Sequence, residues 1–111
     1  MPIVNCFIKE KALSPEKLEH IVNDWAELIG VSTEDICINV LTNFVQHGQQ
    51  YEALAYLYLP SLWKEQAVEH IQKSLVEVLR RALNTTADQV MLLTSIIPSG
   101  HVVEKGKLVK W

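Results

Sequence analysis

Hydrophobic and polar positions change period several times along the chain, and each change marks an element. The opening run, PIVNCFIK over 2–9, is short and rich in β-branched residues, which predicts a strand. From Ser14 onward the period becomes helical. Leu18, Ile21, Val22, Trp25, Leu28 and Ile29 fall on one face. Ser14 suits the N-cap, Pro15 the first helical position and Glu16 the positive helix end. Gly30 stands where a left-handed residue closes a helix. After the turn VSTED, the stretch ICINVLTN reads as a second strand and completes a β-α-β unit.

The pattern then starts again beyond the polar loop NFVQHGQQ. YEALAYLYL reads as a strand, Pro60-Ser61 as a helix start, and LWKEQAVEHIQKSLVEVLRRAL as a helix. Its apolar face is Val68, Ile71, Leu75, Val78, Leu79 and Ala82. QVMLLTSII is a fourth strand. The tripeptide EHI occurs at 19–21 and again at 69–71, while Asn84 takes the place of Gly30 and Val90 that of Ile36. The second helix is thus longer by about one turn. The tail offers two short apolar pieces, HVV and KLVKW, around a Lys105-Gly106 turn, a hairpin too small to stand alone.

These elements predict an α+β fold: a duplicated β-α-β giving a four-stranded sheet, two helices on one face, and a C-terminal hairpin. One domain spans 1–111, with repeat 1 at about 2–42, repeat 2 at about 51–97 and the hairpin at about 101–110. Ferredoxin-like modules share this element order, so order alone leaves the strand pairing open. The second and fourth strands are apolar on both faces, and two helices cover only one. The other face is expected to meet further subunits.

Composition narrows the function. The net charge is −3 and the chain has no basic tract, so a nucleic-acid partner held through phosphates is not expected. Cys6 and Cys37 sit in apolar runs without C-x-x-C spacing and are expected as reduced thiols. The histidines at 20, 47, 70 and 101 are scattered, and neither a metal nor a cofactor is expected. No apolar run reaches transmembrane length, and MPIVNCFIKEK is too short and too soon charged for a signal peptide. A cytoplasmic protein without a membrane partner is the expectation.

Pro2 raises the chemical question. A proline suits the first residue of a strand, because it lacks the N–H a ladder would need. With Met1 removed, however, its nitrogen becomes a secondary amine, a base no other residue supplies. The α-amino pKa is roughly 8, and apolar neighbours such as Ile3, Val4 and Phe7 disfavour the protonated form.

A proline behind Met1, a duplicated β-α-β of this length and a short C-terminal hairpin resemble the tautomerase superfamily. That group includes 4-oxalocrotonate tautomerase, with one unit per chain, and macrophage migration inhibitory factor, with two. The stretch NFVQHGQQYEALAYLYLPSLWKEQAVEHIQ and the ending VVEKGKLVKW are most similar to a bacterial subfamily of tautomerase-like proteins. The resemblance implies a homotrimer with central sheets and outer helices. It also implies an isomerase that moves a proton between keto and enol forms of a carboxylated small molecule, with Pro2 as general acid–base. The family's carboxylate-binding arginines have no counterpart: Lys9 and Lys11 stand near the first position, and Cys37 near the second. Val31, Met91 and Leu93 fall where the migration inhibitory factor carries a lysine, a tyrosine and an asparagine. Lys9 and Lys11 are therefore the candidate substrate-binding cations, with Trp111 and Val109 a candidate apolar wall. Arg80 and Arg81, in the last turn of the second helix, complement its dipole. The alternative function is a non-catalytic trimeric binding or scaffold protein on the same fold.

Overall fold

The computed structural model describes residues 1–9 and 13–111. Six strands and two α-helices follow in the order β1 (Ile3–Ile8), α1 (Pro15–Ile29), β2 (Cys37–Leu41), β3 (Ala53–Pro60), α2 (Glu65–Ala82), β4 (Val90–Ile97), β5 (Val102–Glu104) and β6 (Lys107–Val109). A single 3₁₀ turn precedes β2 and another precedes β4. The four longer strands form one sheet in the order β2-β1-β3-β4, and β5 pairs with β6 apart from it.

Strand pairing resolves what element order left open. β1 lies parallel to β2, β3 parallel to β4, and the two halves join through an antiparallel β1/β3 ladder in which Ile3 faces Tyr58 and Ile8 faces Ala53. Each half is a direct β-α-β unit, not the split unit of a ferredoxin-like module. The expected duplication is visible in the backbone. Gly30 (φ 73°) and Asn84 (φ 53°) both end their helices in the left-handed region. Asparagine is among the few side chains that tolerate this conformation.

Alternation along the strands sorts the sheet into two faces. Val4, Cys6 and Ile8 of β1 and Ala53, Ala55, Leu57 and Leu59 of β3 are fully buried beneath the helices. Ile21 and Trp25 of α1 meet Ile71, Leu75 and Leu79 of α2 over this layer. The Trp25 indole N–H donates to the Ile71 carbonyl at 3.3 Å, which satisfies its polar atom inside the core. The opposite face carries Ile3, Asn5 and Phe7 of β1, Asn39 and Leu41 of β2, and Tyr56 and Leu93, all partly or wholly exposed. It is less apolar than expected. Asn39 donates to Asn5 at 2.9 Å across the parallel pair, so a polar bridge sits among the apolar positions.

One boundary differs from the sequence reading. Pro60-Ser61 does not start the second helix: Pro60 ends β3, a turn follows, and α2 begins at Glu65. β1 begins at Ile3, opposite Tyr58, so Pro60 lies beyond that ladder and its missing N–H leaves no partner there unsatisfied. The helix N-cap is Lys64, which offers no side-chain bond to the first turn. No helix among the described residues is long and apolar enough to cross a membrane.

Candidate active site

Pro2 heads β1, with its ring fully buried on the helix side of the sheet. Its carbonyl accepts from the Cys37 N–H at 3.0 Å, which extends the β1/β2 ladder by one step. Met1 turns to the other face and is about half exposed (47%). There it lines a pocket of about 270 Å³.

Four separate parts of the chain build this pocket. Met1 and Ile3 come from the start of β1; Tyr58, Leu59 and Pro60 from the end of β3; Leu62 from the turn after it; and Ile97 from the end of β4. The hairpin closes one side with Val102, Glu104 and Val109, and Trp111 follows. The hairpin can do this because Lys105 (φ 52°) and Gly106 (φ 76°) both take positive φ, the signature of a type I′ turn. That turn sets the register Val102–Val109 and Glu104–Lys107. Trp111 is held in place at both ends. Its backbone N–H donates to Ser99 Oγ at 2.8 Å, and its indole N–H to Ser61 Oγ at 2.9 Å. The wall it forms is therefore a positioned one.

The chemistry follows from the lining. The peptide bond from Met1 makes the Pro2 nitrogen an amide with no basicity. Met1 itself lines the pocket, so its removal would leave a secondary amine at the pocket's edge, among apolar side chains. The lining holds one ionisable carboxylate, Glu104, one phenol, Tyr58, the chain's terminal amine on Met1, and no Lys, Arg or His side chain.

The sequence-predicted residues are dispersed accordingly. Trp111 and Val109 share the pocket with Met1. Lys9 follows the far end of β1, seven residues beyond Pro2 or roughly 23 Å along a strand. Its ammonium bonds Gln50 Oε1 at 3.3 Å. Lys9 can reach this pocket only from a second copy of the chain. Lys11 lies outside the described residues. Arg80 and Arg81 are on the outer helix face, where both guanidinium groups bond Glu77. The Arg80 hydrogen bonds hold the Glu77 carboxyl down at about 2. These arginines are a local charge cluster far from the pocket in sequence and in lining.

Glu104 is the residue that reading the sequence missed. A signal for it existed: once Val109 is placed at a pocket and the turn is I′, Val102 and then Glu104 follow on the same hairpin face by alternation. Among the described residues no group of His, Cys, Asp and Glu is arranged to hold a metal ion.

No protein-family model and no curated protein matches the sequence. Solved structures do match. A fused 4-OT solved as an asymmetric trimer is similar with a TM-score of 0.79 at 15% identity, covering 96% of this chain and 94% of that one. A member of the cis-3-chloroacrylic acid dehalogenase family gives 0.74 at 12% identity, with 96% and 82% covered. A macrophage migration inhibitory factor homologue from Prochlorococcus marinus gives 0.73 at 13% identity, with 96% and 98% covered. With two direct β-α-β halves joined antiparallel and a small C-terminal hairpin, the chain has the fold of the tautomerase superfamily.

Proposed function

We propose that the protein is a small tautomerase-like enzyme of the isomerase class, acting as a homotrimer in the cytoplasm with Pro2 as general acid–base. The observation that carries this reading is the position of Met1: the residue whose removal frees the Pro2 nitrogen lines the largely apolar, partly open pocket that Trp111 borders. In the processed chain the amine accepts a proton from the carbon beside a carbonyl, leaving an enolate. The resulting ammonium returns that proton to the oxygen or to a conjugated carbon. Apolar walls favour the neutral amine, and the strand holds its lone pair in one direction. The carboxylated substrate expected from the resemblance finds no Lys, Arg or His side chain in the lining of its own chain.

That missing basic side chain favours one other reading, a trimeric binding or scaffold protein without chemistry. The two separate in one experiment. Tautomerase activity is measured on processed, Met1-retaining and Pro2→Ala forms against neutral and carboxylated keto–enol compounds. The processed form is expected to be active and the Met1-retaining form inactive. Pro2→Ala, with a primary amine, is expected to fall by about 10²-fold or more with an altered pH profile. Equal rates with and without Met1 remove Pro2 from the mechanism, and no turnover by any form leaves the binding reading.

A further inference from the structure

The uncovered face of the sheet differs between its two halves. Register places Asn39, Asn5, Tyr56 and Leu93 in one row across β2, β1, β3 and β4. β1 pairs with β2 as β3 pairs with β4, so Asn5 and Tyr56 hold equivalent positions in the two repeats, as do Asn39 and Leu93. The first repeat thus carries amides where the second carries a ring and an aliphatic side chain. Asn39 donates to Asn5 Oδ1 at 2.9 Å, which leaves the Asn5 N–H groups and the other N–H of Asn39 without a partner among the described residues. The neighbouring row is polar on the other repeat. Tyr58 and Ser95 bring hydroxyls, again without a partner among the described residues, where the first repeat has Ile3 and Cys37. Asn5, Asn39, Phe7, Leu41, Tyr56 and Tyr58 line an open hollow of about 490 Å³ on this face.

We infer that this asymmetry sets the register of self-association: the Asn5 and Asn39 amides of one copy meet the hydroxyl-bearing half of a second copy, which fixes the number and orientation of copies. The inference rests on the proposed homotrimer, and it goes further by naming the residues that select that state. A duplicated chain whose repeats offered equal apolar surfaces could be docked through either half, with no arrangement preferred. Amides on one half remove that degeneracy. An apolar surface laid over them strands N–H groups away from water, at a cost on the order of tenfold in association for each side chain. Hydroxyl oxygens laid over them carry no such cost. Within one chain this pairing cannot form, because Asn39 and Ser95 lie on opposite edges of the sheet, three strand spacings or roughly 14 Å apart. A donor half on one copy and an acceptor half on the next make a head-to-tail contact, the kind that closes into a ring. Polar side chains in an otherwise apolar contact between chains specify register and copy number, with some loss of strength.

The test replaces the amides by valine, which suits a strand and leaves the helix-side core untouched. Native mass spectrometry and light scattering over a dilution series are read on wild type, Asn5→Val, Asn39→Val and the double variant, and circular dichroism checks the fold. Wild type is expected to give one mass. Asn5→Val and Asn39→Val each strand the amide that remains, and are expected to dissociate at about tenfold higher concentration. The double variant is expected to associate at least as tightly as wild type, but in more than one mass. Tyr58→Phe/Ser95→Ala, which removes the acceptors, is expected to weaken association as the single amide changes do. A wild type of some other copy number, with the same response to the variants, supports the inference while removing the trimer. A wild-type trimer whose double variant keeps the single mass overturns the inference and leaves the trimer standing. A double variant as weak as the two single changes combined, association indifferent to the hydroxyls, or a wild type that stays monomeric at micromolar concentration also overturns it.

Discussion

Pro2 and Cys6 show how one strand assigns opposite fates to its residues. Pro2 is buried by its ring but is joined by one peptide bond to Met1, which lines the pocket, so the base proposed at its nitrogen depends on the cleavage of that bond. Cys6, on the same buried side, has no opening at all. Burial pushes its thiol up to about 12. The sign of the consequence follows from proton counting. Between the ordinary thiol range and about pH 12 the folded chain keeps this proton and the unfolded chain releases it. Stability from this group is therefore complete below about pH 8.5 and falls above it by ~1.4 kcal/mol per pH unit. Urea unfolding of wild type and Cys6→Ala at pH 8 to 10, at one protein concentration, should show the steeper decline in wild type. Parallel slopes would mean that the Cys6 thiol ionises in the folded chain as it does in water.

The two helices are repeats with unequal ends. In α1 the Ser14 hydroxyl accepts from the Lys17 N–H at 3.1 Å, while α2 begins at Lys64 with no side-chain cap. Ser14→Ala should destabilise by about 1 kcal/mol, and Lys64→Asp should stabilise by roughly 0.5–1 kcal/mol, since aspartate both caps the first turn and suits the helix dipole. Chemical denaturation reads both; a Lys64→Asp chain no more stable than wild type would show that the α2 terminus is already satisfied by other means. At the far ends the sequence was easy to read. Gly30 and Asn84 were paired by position, and both are left-handed. Lys105-Gly106 was read as a turn and is one of type I′. Residues that need an unusual φ announce it in their identity. The start of α2 was not legible, because Pro60-Ser61 is as good a helix entry as it is a strand exit, and only the β3/β4 register, which pairs Pro60 with Ile97, chooses between them.

At the scale of the molecule, the uncovered sheet face is the feature a single chain leaves unexplained. Ile3 (37%), Leu41 (40%), Tyr56 (36%) and Leu93 (49%) remain exposed on it, as do Val103 and Leu108 on the outer side of the hairpin. The proposed trimer would cover this surface. Light scattering at micromolar concentration should give three times 12.6 kDa, and Leu93→Asp, which spares the helix-side core, should shift the mass toward one chain. A monomeric wild type would remove the trimer. Periodicity in the sequence was enough to determine the helices, the strands, the duplication and the helix-side core, because each depends on residues a few positions apart facing the same way. The residue behind Met1 also pointed to Pro2 as the candidate base, which the activity of the processed chain tests. Three things waited for the tertiary structure. Which strands pair was one, since element order fits more than one sheet. That Lys9 stands at the opposite end of β1 from the pocket was another, since strand length becomes distance only when the strand is straight. The last was the pocket: Met1, Tyr58, Ile97, Glu104 and Trp111 meet only because an antiparallel β1/β3 ladder and a two-residue turn carry distant segments to one edge of the sheet.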